Sequence, residues 1–208
     1  MKSTTVILPI FTNDSEAIRS IVSVLNSETK PDNLCLVTTS QLSENRMASI
    51  NAMFKSCCDG GEYSEDIAID KTVIKKVSST FTMYNLILHN QLTKHPNYYA
   101  VNYLKNKSDI FLTLTEGSVY KPEGIGKFLN KLKDPYVGAV YSDYIMRGKQ
   151  LYLPTIHPMI KTSIPIGEIA FRVSVIDTEQ SSMQNGDIIN DSYSKSIVSH
   201  IPESLFIA

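Results

Sequence analysis

Cysteine is scarce in this 208-residue chain: Cys35 lies in a strand-like run, and Cys57 and Cys58 are neighbours. Adjacent thiols make a poor disulfide framework, so the sequence predicts a reducing compartment and a fold held by its apolar core. A surplus of one charge is also missing. Twenty Lys and Arg against 21 Asp and Glu leave a formal net charge of −1. That balance excludes general affinity for nucleic acid or an anionic membrane, while leaving room for a local basic groove. No run of eighteen apolar residues occurs and no basic leader precedes an apolar stretch, so neither spanning nor secretion is encoded and a cytoplasmic protein is expected. Also absent are a Gly-rich phosphate loop with a Lys, a Gly-x-Ser-x-Gly elbow and a kinase signature. The four histidines, His89, His95, His157 and His200, are dispersed, with no pair one helical turn apart, which argues against zinc.

What the chain does have is 42% hydrophobic residues over a length that suits one large α/β domain, residues 1–208, without repeat or linker. "STTVILPIF" (Ser3 to Phe11) reads as a strand and "TNDSE" as a helix start, with Asn13 or Asp14 as cap. Ile18, Ile21, Val22 and Leu25 then form one apolar stripe. "LCLVTT" (Leu34 to Thr39) is a second strand, and a crossover unit of this kind makes the two strands parallel, with both following loops on one edge of the sheet. Ligands bind at such edges. Arg46 to Phe54 reads as a helix, "CCDGGEYSED" as a loop, Thr72 to Val77 as a strand, and "MYNLILHNQLTKH" and "YYAVNYLKNK" as helical. "DIFLTL" (Asp109 to Leu114) is the strongest buried strand. It runs into the turn "TEGS" and a helix led by Pro122, with Ile125, Phe128, Leu129 and Leu132 on one face. A strand from Val137 to Ile145, a hairpin through "IMRGKQLYL", and β segments in "IPIGEIAFRVSV" and "SIVSHIPESLFIA" complete the pattern.

The order of these pieces resembles the family 2 glycosyltransferases and their GT-A nucleotide-sugar-binding fold. "TVILPIFTNDSEAIRSIVSVLNSE" is similar to that family's opening strand, Pro-containing loop and first helix. "AVNYLKNKSDIFLTLTEGSVYKPEGIGKFLNKLKDPYVGAVYSDYI" resembles its central block, in which a helix with an Asn leads into the strand bearing an acidic metal motif. "SIPIGEIAFRVSV" resembles the acceptor-side segment, and "HIPESLF" the closing signature. The resemblance implies an α/β fold with a mainly parallel central sheet flanked by helices. It further implies transfer of a sugar from a nucleoside-diphosphate sugar to an acceptor hydroxyl. Charge accumulating on the leaving diphosphate needs a metal, cationic side chains or N–H groups, and an inverting reaction needs a carboxylate to take the hydroxyl proton.

Carried over residue by residue, the resemblance places Pro9, Phe11, Thr38, Thr39, Asn102, Thr115, Glu116, Gly117 and Ser118 against the nucleotide sugar. Phe11 either stacks on the base or packs under the first helix, and Asn102 either holds the nucleotide or faces solvent. Asp143, Glu168 and Arg172 fall where the family meets acceptor or sugar, Asp143 being equally a turn residue and Glu168 equally an ordinary strand residue. Asp191 and Asp187 are the candidate catalytic bases, with Asp191 favoured as nearer the shortened helix before "HIPE"; either also fits a cap or loop carboxylate. The departure is in the metal motif. Its Asp-x-Asp positions fall on Thr115 and Gly117, so the carboxylates that would bind Mg²⁺ or Mn²⁺ are missing and only Glu116 offers a negative oxygen. Donor binding with little or no metal, recruitment of a metal by Glu116, and a silent domain acting as a binding or regulatory partner all stay open. The acceptor is equally open among glycan, protein, lipid-linked sugar and modified nucleic-acid base. For a nucleic-acid acceptor, Lys105, Lys107, Lys121, Arg147 and Lys149 would have to share a face.

Overall fold

The computed structural model describes residues 3–11, 14–38, 43–57, 62–79, 81–89, 92–146, 148–153, 167–178 and 183–208. Four parallel strands form the middle of one sheet: β1 (Thr4–Pro9), β2 (Asn33–Thr38), β5 (Thr82–Leu88) and β6 (Ile110–Thr113), in the order β5-β2-β1-β6. Nearly every residue in them is buried, as expected of strands covered on both faces. The hairpin of β3 (Glu62–Ile67) and β4 (Lys71–Val77) adds antiparallel to β5 on one side. On the other side β10 (Ile169–Arg172) runs antiparallel to β6 and to β8 (Val137–Met146). Beyond it come β11 (Ile197–Ile207), parallel to β8, and the short β7 (Val119–Tyr120); β9 (Lys149–Leu151) pairs with β8 as the expected hairpin.

Helices cover both faces. α1 (Asp14–Leu25) packs on α2 (Glu44–Cys57) and β7, and α4 (Gly124–Lys131) joins that layer through Ser27 and Glu28, both bonded to the Pro122 carbonyl. α3 (Pro96–Leu104) and α5 (Asn185–Tyr193) lie opposite, tied together by the Asn97 amide on the Met183 carbonyl. Alternation along β5 separates the layers: Asn85 reaches Met47 of α2, while Tyr84 meets Tyr103 of α3 edge-on. None of the described helices is long and apolar enough to cross a membrane.

Three sequence expectations are corrected. The residues from Met83 to Leu88, expected to be helical, belong to the strand β5, because a short apolar run buried on both faces carries no period that separates strand from helix. The residues from Glu62 to Asp66, expected as loop, belong to the edge strand β3, whose every residue is exposed, so it shows no alternation of burial. In α1 the inward stripe is Ala17, Ser20, Ile21, Val24 and Leu25, with Ile18 and Val22 only half-buried. Cys35 is buried in β2, where burial pushes its thiol up to about 12 and leaves it unreactive. Asn13 and Arg147 lie outside the described residues.

Candidate functional site

The register fixes which chain ends share an edge. Pro9 sits opposite Val37, and Val37 opposite Leu86, while Ile7 sits opposite Thr113. The loops after β1, β2, β5 and β6 therefore leave from one edge of the sheet, and the reversed strand β10 starts there, because Ala170 pairs with Leu112. Thr38 and Thr115 are thus on a common rim, two strand spacings or roughly 10 Å apart across the sheet. Thr39 lies outside the described residues.

At that rim Thr115, Glu116, Gly117 and Ser118 form a tight turn closed by the Ser118 N–H on the Thr115 carbonyl at 2.9 Å, with Gly117 at φ +93°. A positive φ at the third position marks a type II turn, which favours glycine. The turn is pinned from three sides. From α1, the Ser20 hydroxyl donates to the Ser118 carbonyl at 2.8 Å and accepts the Gly117 N–H at 3.0 Å. From the loop after β1, the Phe11 N–H donates to Glu116 Oε2 at 2.9 Å, while the Phe11 ring is 59% exposed. From β10, Glu168 accepts the Thr115 N–H at 2.7 Å and the Thr113 hydroxyl at 3.0 Å. The Thr113 hydroxyl accepts from the Ile169 N–H at 3.0 Å, and the buried Tyr120 hydroxyl donates to the Thr113 carbonyl. Substituting Gly117 by Ala is expected to cost about 1 kcal/mol in chemical denaturation through the positive φ, the new methyl itself meeting only ordinary contacts. An unchanged midpoint would show that the turn relaxes.

Glu168 is 1% exposed and no Lys or Arg is among the groups that bond it. Burial pushes its carboxyl above the usual carboxylate range, and the hydrogen bonds from Thr115, Thr113 and Ser118 pull part of the way back. Tyr120 is pushed well up, by burial first and then by the charge of Glu168.

The remaining candidates scatter. Asp143 is 1% exposed on β8, where Oδ1 accepts the Leu153 N–H at 2.8 Å and pairs with His200 Nε2 at 2.9 Å; the His200 ring stacks on Tyr141. Asn102 lies in α3 with its amide donating to the Tyr98 carbonyl and its oxygen receiving Lys105. α5 starts at the rim, where Asn185 donates to the Gly167 carbonyl just before β10, and it ends near Gly138 at the start of β8, where Ser196 packs. Asp187 in its first turn is therefore nearer the rim than Asp191, whose Oδ2 is buried without a hydrogen-bond partner. Arg172 is not at the rim. It sits opposite Ile110, at the other end of β6, with Nε on the Val137 carbonyl and a terminal nitrogen on the carbonyls of Leu132 and Asp134.

A cavity of about 520 Å³ opens between α3 and the ends of β4 and β5, bounded by Lys71, Leu88, Thr93 and the rings of Tyr98, Tyr99 and Tyr103. Among the described residues no group of three or more His, Cys, Asp or Glu could hold a metal ion. Glu168 lies buried beneath the turn, which leaves Glu116 as its one carboxylate nearer the surface, fewer oxygens than the carboxylate-held Mg²⁺ or Mn²⁺ of the family takes.

No protein-family profile matches the sequence, and no curated protein does. Solved structures do match. Residues 1–349 of TarS from S. aureus align over 99% of this chain with a TM-score of 0.65 at 10% identity. A mannosyltransferase from Pyrobaculum calidifontis, in complex with GDP-Man and Mn²⁺, aligns over the whole chain at 0.61 and 10% identity. The fold is of the GT-A type. TarS in complex with UDP-GlcNAc aligns at 0.64 and 11% identity. The present chain spans 56 to 60% of the length of these three neighbours.

Sequence reading placed Glu168 at the acceptor or sugar, or as an ordinary strand residue, and missed that it holds the turn from below; Ser20 was not singled out, and His200 was noted only as one of four dispersed histidines. A serine on the inward stripe of an otherwise apolar helix is the one signal that could have exposed Ser20, since a buried hydroxyl needs a partner.

Proposed function

We propose that this chain is a family 2 glycosyltransferase domain, spanning 1–208, that moves a sugar from a nucleoside-diphosphate sugar to an acceptor hydroxyl with little or no metal dependence. The observation that carries this reading is the common rim in a GT-A fold, where the ends of β1, β2, β5 and β6 and the start of β10 converge. The nucleoside lies toward the β5 end, against Thr38 and the tyrosine-lined cavity, the sugar lies at the turn Thr115–Ser118, and Pro9 and Phe11 stand between the two, Phe11 bonded to Glu116 of the turn. From β5 to β6 is three strand spacings, roughly 14 Å, a span suited to an extended diphosphate linkage. Lys71 in the cavity wall and Lys94, 4.2 Å over the Tyr98 ring, supply cations toward the diphosphate. Asp187 takes the proton of the acceptor hydroxyl as its oxygen bonds to the anomeric carbon, and the nucleoside diphosphate leaves with the electron pair of the broken bond.

Thermal melting with nucleotide sugars tests this. A donor at a hundredfold excess over its dissociation constant should stabilise the fold by about 2.7 kcal/mol, equally with Mn²⁺ and with chelator. A second reading, a silent domain that partners or regulates an active transferase, is favoured by the loss of the motif carboxylates at Thr115 and Gly117. It predicts no shift with any donor.

A further inference from the structure

At the edge of the sheet opposite the rim, a second hollow of about 490 Å³ lies between β1, β6 and the end of α4. Much of its wall is apolar: Ile110 of β6, Leu129 and Leu132 at the end of α4, and Pro135 just after it. Its charged residues are the cations Lys30, Lys133 and Arg172 against the single carboxylate of Asp32, so the wall carries +2 in a chain whose total is −1. Asp32 is already engaged, because its Oδ2 accepts both the N–H and the hydroxyl of Thr4 at 2.8 Å. A concave surface of one sign with apolar walls concentrates the opposite charge.

Arg172 is the decisive member of this wall. It is 8% exposed, yet its Nε and one terminal nitrogen bond main-chain carbonyls, which take up hydrogens but carry no net charge. Among the described residues no carboxylate pairs with it, and its other terminal nitrogen, Nη1, makes no hydrogen bond. A guanidinium is a permanent cation with five N–H donors, and burying one without a counter-charge is costly. An anion in the hollow supplies both the missing charge and the missing acceptor.

We propose that this hollow is a binding site for a small organic anion, a carboxylate with an apolar body. Arg172 takes the carboxylate together with Lys133, which follows the Leu132 whose carbonyl Arg172 bonds, and the apolar body lies on Ile110, Leu129 and Pro135. Apolar walls with a few convergent polar groups are the usual form of a small-molecule site, and they select against inorganic phosphate, which has nothing apolar to bury. The pairing of Arg172 with Ile110 puts the hollow at the end of β10 away from the rim, so the site is separate from the donor site proposed above and does not depend on it.

The test titrates the full chain with phenylpropionate, its neutral counterpart phenylpropanol and inorganic phosphate, followed by calorimetry and amide NMR shifts. Phenylpropionate should bind at least roughly tenfold more tightly than either of the others, shifting the amides of Ile110, Leu132 and Ser174 and leaving those of Thr115 to Ser118 in place. Because Arg172 variants lose stability, the charge is tested at Lys30 and Lys133, both exposed. The double variant Lys30→Glu, Lys133→Glu should keep the wild-type circular dichroism and lose roughly tenfold in affinity for phenylpropionate. The proposal is overturned if phenylpropanol binds as well as phenylpropionate, if the folded double variant keeps the wild-type affinity, if the shifts gather at the rim, or if no phenylpropionate binds up to about 10 mM.

Discussion

Replacing Glu168 by Ala is expected to cost about 4 kcal/mol of folding stability, because it leaves the Thr115 N–H and the donor hydrogen of the Thr113 hydroxyl without their acceptor. The Thr115 N–H and the Thr113 hydroxyl both donate to this carboxylate from buried or half-buried positions. The side chain also fills space that no water reaches. Glu168→Gln keeps the shape and one acceptor, and should cost only about 1 kcal/mol at neutral pH. The two variants also separate by pH. The folded carboxyl titrates above its ordinary value of 4.5, so the native state holds a proton that the unfolded chain has released. Wild-type stability from this group is therefore fully present below about pH 4.5 and is lost as the pH climbs through the raised value. Glu168→Gln has no such group, so the stability gap between it and the wild type should be widest in acid and narrow as the pH rises. Urea denaturation of both proteins across that range measures it. A gap that widens with pH would mean that the carboxylate is stabilised as an ion and that its hydrogen bonds outweigh burial.

How much of this was legible from residues alone depends on where each signal resides. β1, β2, β6 and β8 are runs of apolar and β-branched residues bounded by turn chemistry, and each is found where the sequence put it. β5 was hidden because full burial erases alternation, and β3 because full exposure does so too. The turn Thr115–Ser118 was readable, since Gly117 announces a positive φ and the resemblance supplies its position. Its support was not. The Ser20 hydroxyl is 95 or more residues from the groups it bonds, and Glu168 lies 53 residues from Thr115, so only the packing of α1 on the turn and the pairing of β10 beside β6 bring them together. The same limit explains Arg172. Its strand is antiparallel to β6, and reversal carries the last residue of "GEIAFR" away from the edge where the first two stand.

That reversal leads to the last expectation: Arg172→Leu should destabilise the fold by about 3 to 5 kcal/mol while leaving the affinity of the folded protein for any nucleotide sugar unchanged. The guanidinium is 8% exposed, and its nitrogens bond the carbonyls of Leu132 and Asp134 after α4 and of Val137 at the start of β8. The last carbonyls of a helix have no partner within it, so a planar fork that reaches Leu132 at the end of α4, Asp134 just after it and Val137 in β8 ties that end to the sheet. Leucine fills part of the volume but leaves those oxygens dry and unpaired. Lysine does little better, since a single ammonium on a flexible stem cannot match three acceptors at once. The distance argument covers binding: Arg172 pairs with Ile110, three residues or roughly 10 Å along the strand from Thr113, and its side chain turns toward α4 rather than the rim. Guanidinium denaturation of Arg172→Leu and Arg172→Lys, with donor titration of the folded fraction, separates the two effects. A tenfold loss of affinity with unchanged stability would place this residue in the sugar site after all, and would require β10 to slide by several residues to bring it there.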